Sequence, residues 1–127
     1  MGKILIIDSD YHEREERAPI SVECCSMGCL TAENFADAIS QLQSEDGIMG
    51  AISALNFPGQ EGMNGIIRLS NECRKWGIPF QVCISQEDDN PSEDQRKMLE
   101  RNGIAYEIIE TGRKNWEKSV ERILGPR

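Results

Sequence analysis

The residues Lys3-Ile4-Leu5-Ile6-Ile7-Asp8-Ser9-Asp10 lie near the start of the chain and decide how the rest of it folds. The apolar run Ile4–Ile7 is continuous rather than alternating, which is typical of a strand covered on both faces. Polar residues follow the run directly, so the strand ends before Asp8. This stretch therefore predicts the first strand of a buried parallel sheet, with polar side chains at its carboxyl end.

Similar apolar runs recur along the chain and alternate with helical patterns. Strands are predicted at Ile4–Ile7, Gly50–Leu55, Phe80–Ile84 and Ala105–Ile109, with a weaker one at Cys29–Ala32. Between the strands the apolar spacing becomes three and four, which predicts helices over Tyr11–Ser26, Phe35–Gln43, Met63–Arg74, Ser92–Asn102 and Trp116–Leu124. Pro19 lies inside the first helical pattern, where it should bend the helix or delay its start.

Strands that alternate with single helices imply right-handed crossovers and a parallel sheet with helices on both faces. We therefore predict an α/β fold: a flavodoxin-like doubly wound (βα)5 domain with a five-stranded parallel sheet of order 2-1-3-4-5. Ligands of such sheets bind at the carboxyl ends of the strands. The loops after the first, third and fifth strands are therefore where a site is expected.

Composition narrows the class of protein. The chain has 127 residues, which suits one domain spanning residues 1–127, and its net charge of −8 argues against binding nucleic acid or anionic membranes. The first apolar run is too short for a signal peptide, and no run is long enough to span a bilayer. The cysteines are odd in number and lack a C-x-x-C pair, so we expect a cytoplasmic protein with buried thiols. Trp76, Trp116, Met49 and Met63 are interpreted as packing residues.

Two segments carry a resemblance to a known family. The sequence around Ile4–Asp10, together with Asn56-Phe57-Pro58-Gly59-Gln60-Glu61-Gly62, resembles the receiver domain of two-component response regulators. In that family an acidic pair ends the first strand, a phosphoacceptor aspartate ends the third, and a Pro-Gly turn follows. A Ser or Thr ends the fourth strand, and a Lys-Pro pair ends the fifth.

The resemblance also shows where this chain departs from the family. The phosphoacceptor position falls on Ala54, whose methyl group offers no oxygen to a phosphoryl donor. The acidic pair falls on Asp8 and Ser9, and the lysine position falls on Glu110. We therefore expect a degenerate acidic pocket without a lysine, formed by Asp8, Ser9, Asp10, Asn56, Ser85 and Glu110. We expect no catalytic residue and no metal; the carboxylates left to hold an ion are Asp8 and Asp10.

The residues that transmit the signal in the family are also altered. The Ser/Thr position falls on Ile84 or, with a shift of one residue, on Ser85, which we favour for its hydroxyl. The family's mobile aromatic falls on Glu107, beside Tyr106. The resemblance implies a partner face on the fourth helix, fifth strand and fifth helix. Its residues are Arg96, Arg101, Tyr106, Glu107 and Lys118.

Three hypotheses follow for the function. The first is a pseudo-receiver, not an enzyme, that binds signalling proteins such as a histidine kinase or an output protein independently of phosphorylation. A second copy of the chain could bind through the same face. The second is a small-molecule or ion sensor that uses the altered acidic pocket. The third is a phosphorylatable receiver that uses another carboxylate. No Gly-rich phosphate-binding loop follows the first strand, so we expect no cofactor.

Overall fold

The computed structural model describes residues 2–55, 57, 62–109 and 112–125. Its strands form one parallel sheet of order β2-β1-β3-β4-β5, which confirms the predicted topology. The strands are β1 (Lys3–Ile7), β2 (Gly28–Ala32), β3 (Ile48–Ser53), β4 (Phe80–Ser85) and β5 (Ala105–Ile109). No helix within the described ranges is long and apolar enough to cross a membrane.

The third strand shows the limit of an apolar run as a guide to strand bounds. The prediction placed it at Gly50–Leu55, whereas β3 begins at Ile48 and ends at Ser53. Ala54 and Leu55 lie beyond the strand but are each only 1% exposed. They remain buried after the chain has left the sheet, so hydrophobicity alone could not mark the strand's end.

Five helices cover the sheet, as predicted. They are α1 (Ala18–Cys24), α2 (Phe35–Ser44), α3 (Met63–Lys75), α4 (Glu93–Arg101) and α5 (Trp116–Leu124), with a further helical turn at Gln86–Asp89. A capping box formed by Ser92 and Gln95 starts α4, which confirms that helix's predicted beginning.

The first helix contains a wide turn. A π-helical segment, Glu13–Arg17, leads directly into α1, where Pro19 occupies the first turn. A proline has no N–H to donate and its ring crowds the carbonyl four residues earlier, here Glu15. A π-helical turn is one way a helix accommodates such a disruption without breaking. Both Glu13 and Arg14 are buried in this segment.

The sheet separates two apolar cores. One packs α2, α3 and α4 against one face, and the other packs α1 and α5 against the opposite face, with Trp116 only 1% exposed at its centre. Gly65 allows α3 to approach α2, since a Cβ there would lie 2.4 Å from the Phe35 ring. Trp76 and Met49 are half exposed, so their interpretation as packing residues was wrong; they lie at the end of α3 and the start of β3.

The five cysteines are free thiols in different environments. Burial raises the pKa of Cys73 and of Cys29 to about 12, and that of Cys83 to about 11. Cys25 is buried, whereas Cys24 is exposed. Only Cys24 departs fully from the predicted burial.

These environments predict the order in which the thiols react. At mildly alkaline pH, one equivalent of an aromatic disulfide reagent should react rapidly, at Cys24, because the thiolate is the attacking species and the other thiols are buried or protonated. In denaturant all five should react. Peptide mapping of the first adduct checks the assignment, and rapid labelling of Cys73 or Cys83 in the native protein would contradict it.

Candidate functional site

The carboxyl ends of β1, β3 and β4 meet at one edge of the sheet, where the site is expected. Asp8 follows β1, Ala54 follows β3, and Ser85 is the last residue of β4. The Ala54 amide donates to the Ile7 carbonyl at 2.9 Å, which fixes the loop after β3 beside the loop after β1. Two predicted members of the pocket, Asn56 and Glu110, lie outside the described residues.

Asp8 is buried at this edge, with its side chain only 3% exposed. Its Oδ1 accepts a hydrogen bond from the Asp10 amide at 3.0 Å. Its Oδ2 lies 3.7 Å from the Nζ of Lys114, whose side chain is 5% exposed. The Asp8 carboxylate therefore sits next to a buried ammonium group.

Lys114 corrects the expectation of a pocket without a lysine. Carrying the family's lysine position onto Glu110 overlooked a lysine four residues later, in the loop that leads into α5. Lys114 precedes Asn115, the N-cap residue of α5, and so lies outside the predicted last helix. The signal that could have found it is its position, because a residue just before a helix that packs on the sheet can point back toward the strand ends.

A partly buried polar network holds the Lys114 loop against the first helix. The Arg17 guanidinium donates to the Lys114 carbonyl at 3.2 Å and to both carboxylate oxygens of Glu13, at 2.7 and 2.8 Å. The Trp116 indole N–H donates to the same carboxylate at 3.2 Å. Sequence reasoning missed Glu13 because an acidic residue in a helix is usually exposed, whereas this one lies buried in the π-helical segment.

The polar residues in and after the loop that follows β1 make different contacts. Asp10 was a candidate for the pocket, but its Oδ1 accepts the amides of His12 and Glu13, at 2.9 and 3.2 Å, so that it caps the start of the first helix. Ser9 is exposed. Arg14 donates to the Asp8 carbonyl at 3.0 Å and fixes the backbone of this loop.

The end of β3 carries no nucleophile among its described residues. Ala54 is 1% exposed and presents only a methyl group. The neighbouring Ser53 is fully buried, and its hydroxyl donates to the Ala54 carbonyl at 2.7 Å. That hydroxyl therefore stabilises the turn out of the strand.

Ser85 is the last residue of β4, while Ile84 is a core residue. The Ser85 hydroxyl donates to the Gly112 carbonyl. This bond joins the end of β4 to the loop that carries Lys114, which is a longer-range contact than the local turn bond that strand-end serines commonly make.

The described residues at this edge do not fit the magnesium ion that the resemblance to receiver domains implies. Magnesium requires near-octahedral oxygen ligation. Asp8 is already paired with Lys114, Asp10 caps a helix, and Ala54 has no ligand atom. In the part of the chain that the structure describes, no three His, Cys, Asp or Glu side chains are grouped as metal ligands would be.

The residues of the expected partner face differ in their exposure and in their contacts. Arg101 and Lys118 are exposed and Arg96 is half-buried. The Tyr106 hydroxyl donates to Glu100 at 2.9 Å, and this bond raises the Tyr106 pKa. Glu107 is covered rather than presented to a partner, because its 7% exposed side chain pairs with Lys118 at 2.9 Å and Arg122 at 2.6 Å.

Comparison with known proteins gives matches among solved structures only. No protein-family model matches the sequence, and no curated protein does. The receiver domain protein of Methanospirillum hungatei JF-1 superposes with a TM-score of 0.75 at 16% identity, over 98% of this chain and 91% of that one. The chemotaxis protein CheY4 of Vibrio cholerae superposes with a TM-score of 0.73 at 17% identity, over 97% of this chain and 98% of that one. A two-component response regulator from Clostridium difficile superposes with a TM-score of 0.71 at 21% identity, over 98% of this chain and 96% of that one. The chain therefore has the fold of CheY-like response-regulator receiver domains.

Proposed function

We propose that the chain is a receiver-like module of two-component signalling that acts by binding other proteins, without phosphorylation of its own pocket. The buried methyl group of Ala54 is the observation that carries this proposal. A phosphoryl group needs an oxygen nucleophile at the end of the third strand, and no side chain elsewhere can supply that atom at this position.

The electrostatics of the pocket support the same conclusion. Phosphoryl transfer in this kind of site depends on positive charge that is free to face the transferred group. Here the Lys114 ammonium is placed beside Asp8, and the Ser85 hydroxyl donates to a backbone carbonyl. Both of these groups therefore already have an internal contact.

The face of α4, β5 and α5 is the proposed contact surface for a histidine kinase or an output protein, or for a second copy. Glu107 pairs with the Nζ of Lys118 and with a guanidinium nitrogen of Arg122, which holds two cations at defined places on an otherwise acidic protein. Arg101, on α4, adds a third exposed cation to this face. Charges held in place cost less entropy on binding than mobile ones.

The proposal predicts that the protein does not form an acyl-phosphate. Incubation with acetyl phosphate and Mg²⁺ should leave the intact mass unchanged, and beryllofluoride should leave the amide resonances around Ala54 in place. A receiver domain that retains its aspartate, treated in parallel, is the positive control. A hydroxylamine-sensitive gain of one phosphoryl group would overturn the proposal and favour another carboxylate as the acceptor.

Binding to the cytoplasmic regions of histidine kinases tests the other half of the proposal. Affinity measured by calorimetry should be the same with ATP and with a non-hydrolysable analogue. An Arg101→Glu variant should bind roughly tenfold more weakly at low salt, mainly through slower association, because reversing a rim charge opposes the encounter. Lys75→Glu, on α3 and outside this face, is the matched control. An affinity that depends on hydrolysable ATP would contradict the proposal.

A further inference from the structure

We propose that the Lys114 ammonium group is a built-in cation, which at Asp8 takes the place of the divalent ion associated with receiver-type pockets. The inference deepens the proposed function and rests on it, because it explains how a pocket without phosphoryl chemistry keeps the buried Asp8 carboxylate compensated. The inference starts from the observation that the described residues at this edge do not fit a magnesium ion.

Burial makes a compensating charge necessary at Asp8. A carboxylate this deeply buried is costly unless a cation or hydrogen-bond donors compensate it. The Asp10 amide donates a hydrogen bond to Asp8 Oδ1 at 3.0 Å, and the Lys114 ammonium lies 3.7 Å from Asp8 Oδ2. Both side chains are at least nine-tenths buried, so the pair is shielded from bulk solvent and salt.

The loop of Lys114 is held so that the ammonium stays at this place. Arg17 binds the Lys114 carbonyl, and Ser85 binds the carbonyl of Gly112, two residues before Lys114. On the other side, Asn115 accepts the Lys118 amide at 2.9 Å and caps α5. These contacts come from the first helix, from β4 and from α5, so three separate elements fix the position of one cation.

The chemistry of the pocket matches a single positive charge. A divalent ion between an acidic pair and a phosphoacceptor aspartate faces several carboxylates, whereas here Ala54 is apolar and Ser9 is exposed and neutral. The Lys114 ammonium places a single positive charge beside the Asp8 carboxylate. A divalent ion at Asp8 would have to displace that ammonium, which costs more than one weak metal contact returns.

Thermal melts with and without millimolar MgCl2 or MnCl2 test the inference. The wild-type midpoint should change by less than about 1 °C, because an ion that does not bind the native state cannot stabilise it. Lys114→Ala should melt roughly 10 °C lower, since it leaves the Asp8 carboxylate buried without its cation. Millimolar MnCl2 should raise that variant's midpoint by roughly 2 °C, more than it raises the wild type's, because Asp8 alone holds the ion weakly once Lys114 is gone.

Lys97→Ala is the matched control. Lys97 is exposed and pairs with exposed Glu93 at 3.5 Å, so its removal should change the midpoint by no more than roughly 2 °C and confer no response to MnCl2. If Lys114→Ala does not fold, the measurement moves to the wild-type protein. There Mn²⁺ should leave the Asp8 and Ser9 amide resonances unbroadened.

Asp8→Asn combined with Lys114→Met completes a double-variant cycle. The double variant should be more stable than the two single effects added together predict, because it leaves no buried charge unpaired. Additive effects, a wild-type response to Mg²⁺ or Mn²⁺, or a Lys114→Ala variant indifferent to Mn²⁺ would each overturn the inference. An acyl-phosphate in the experiment above would overturn the proposed function instead, so the two failures are distinguishable.

Discussion

Replacement of Trp116 by alanine is expected to lower the free energy of unfolding by about 4 kcal/mol. The side chain is 1% exposed at the centre of the core between α1, α5 and the sheet. Its removal leaves a large cavity that the surrounding helices cannot fill, and it also deprives the Glu13 carboxylate of the indole N–H. Urea unfolding followed by far-ultraviolet circular dichroism measures the loss.

Trp76→Ala is the control for Trp116→Ala, because Trp76 is half exposed at the end of α3. Its loss should cost about 1 kcal/mol or less. Trp116→Phe separates the two contributions, since it keeps most of the apolar volume but has no N–H to donate. Equal destabilisation by the two alanine variants would show that Trp116 is not central to the core.

Replacement of Glu13 by alanine is expected to cost about 3 kcal/mol. The carboxylate accepts two hydrogen bonds from Arg17 and one from Trp116, with its side chain only 3% exposed. Without it, the guanidinium loses its charge partner and a buried indole N–H loses its acceptor. Because Arg17 also binds the Lys114 carbonyl, hydrogen exchange should rise at the amides of residues 112–115 as well.

Glu16→Ala controls for the removal of an acidic residue from the same helix. Its side chain is 57% exposed and pairs with His12 across one turn, so its loss should change stability by no more than about 0.5 kcal/mol. Glu13→Gln keeps an acceptor for the indole but loses the charge, and should fall between the two. A Glu13→Ala variant as stable as Glu16→Ala, with unchanged exchange at 112–115, would show that the network is not structural.

The fold was predictable from the sequence because its strongest signals are local. A continuous apolar run such as Ile4–Ile7 reflects a strand that is buried on both faces. The helical spacing of apolar residues in Phe35–Gln43 reflects a helix that is buried on one face. Right-handed crossovers then implied a parallel sheet, and the order of its strands was predicted from the flavodoxin-like layout that five alternating strands and helices fit. Strand ends were less predictable, as β3 shows, because residues leaving a sheet can stay buried.

The site was predictable only in part, because side chains meet there from distant parts of the chain. Asp8, Ala54 and Ser85 were assigned correctly to the carboxyl ends of their strands, since strand order and loop position determine that edge. Lys114 and Glu13 were missed because their inward direction depends on how a loop enters α5 and on a wide turn in the first helix. No pattern of apolar residues records either feature.

The π-helical turn at Glu13–Arg17 also has a consequence for aligning this chain with other proteins. A wide turn of this kind adds one residue to a helix without lengthening its path on the surface of the sheet. Against a homologue whose first helix is uninterrupted, an alignment needs a one-residue gap within 13–17. Without that gap, every position on one side of the turn is compared with a neighbour about 100° away around the helix axis. Buried and exposed positions would then be exchanged, and the distance of this sequence from its relatives would be overstated.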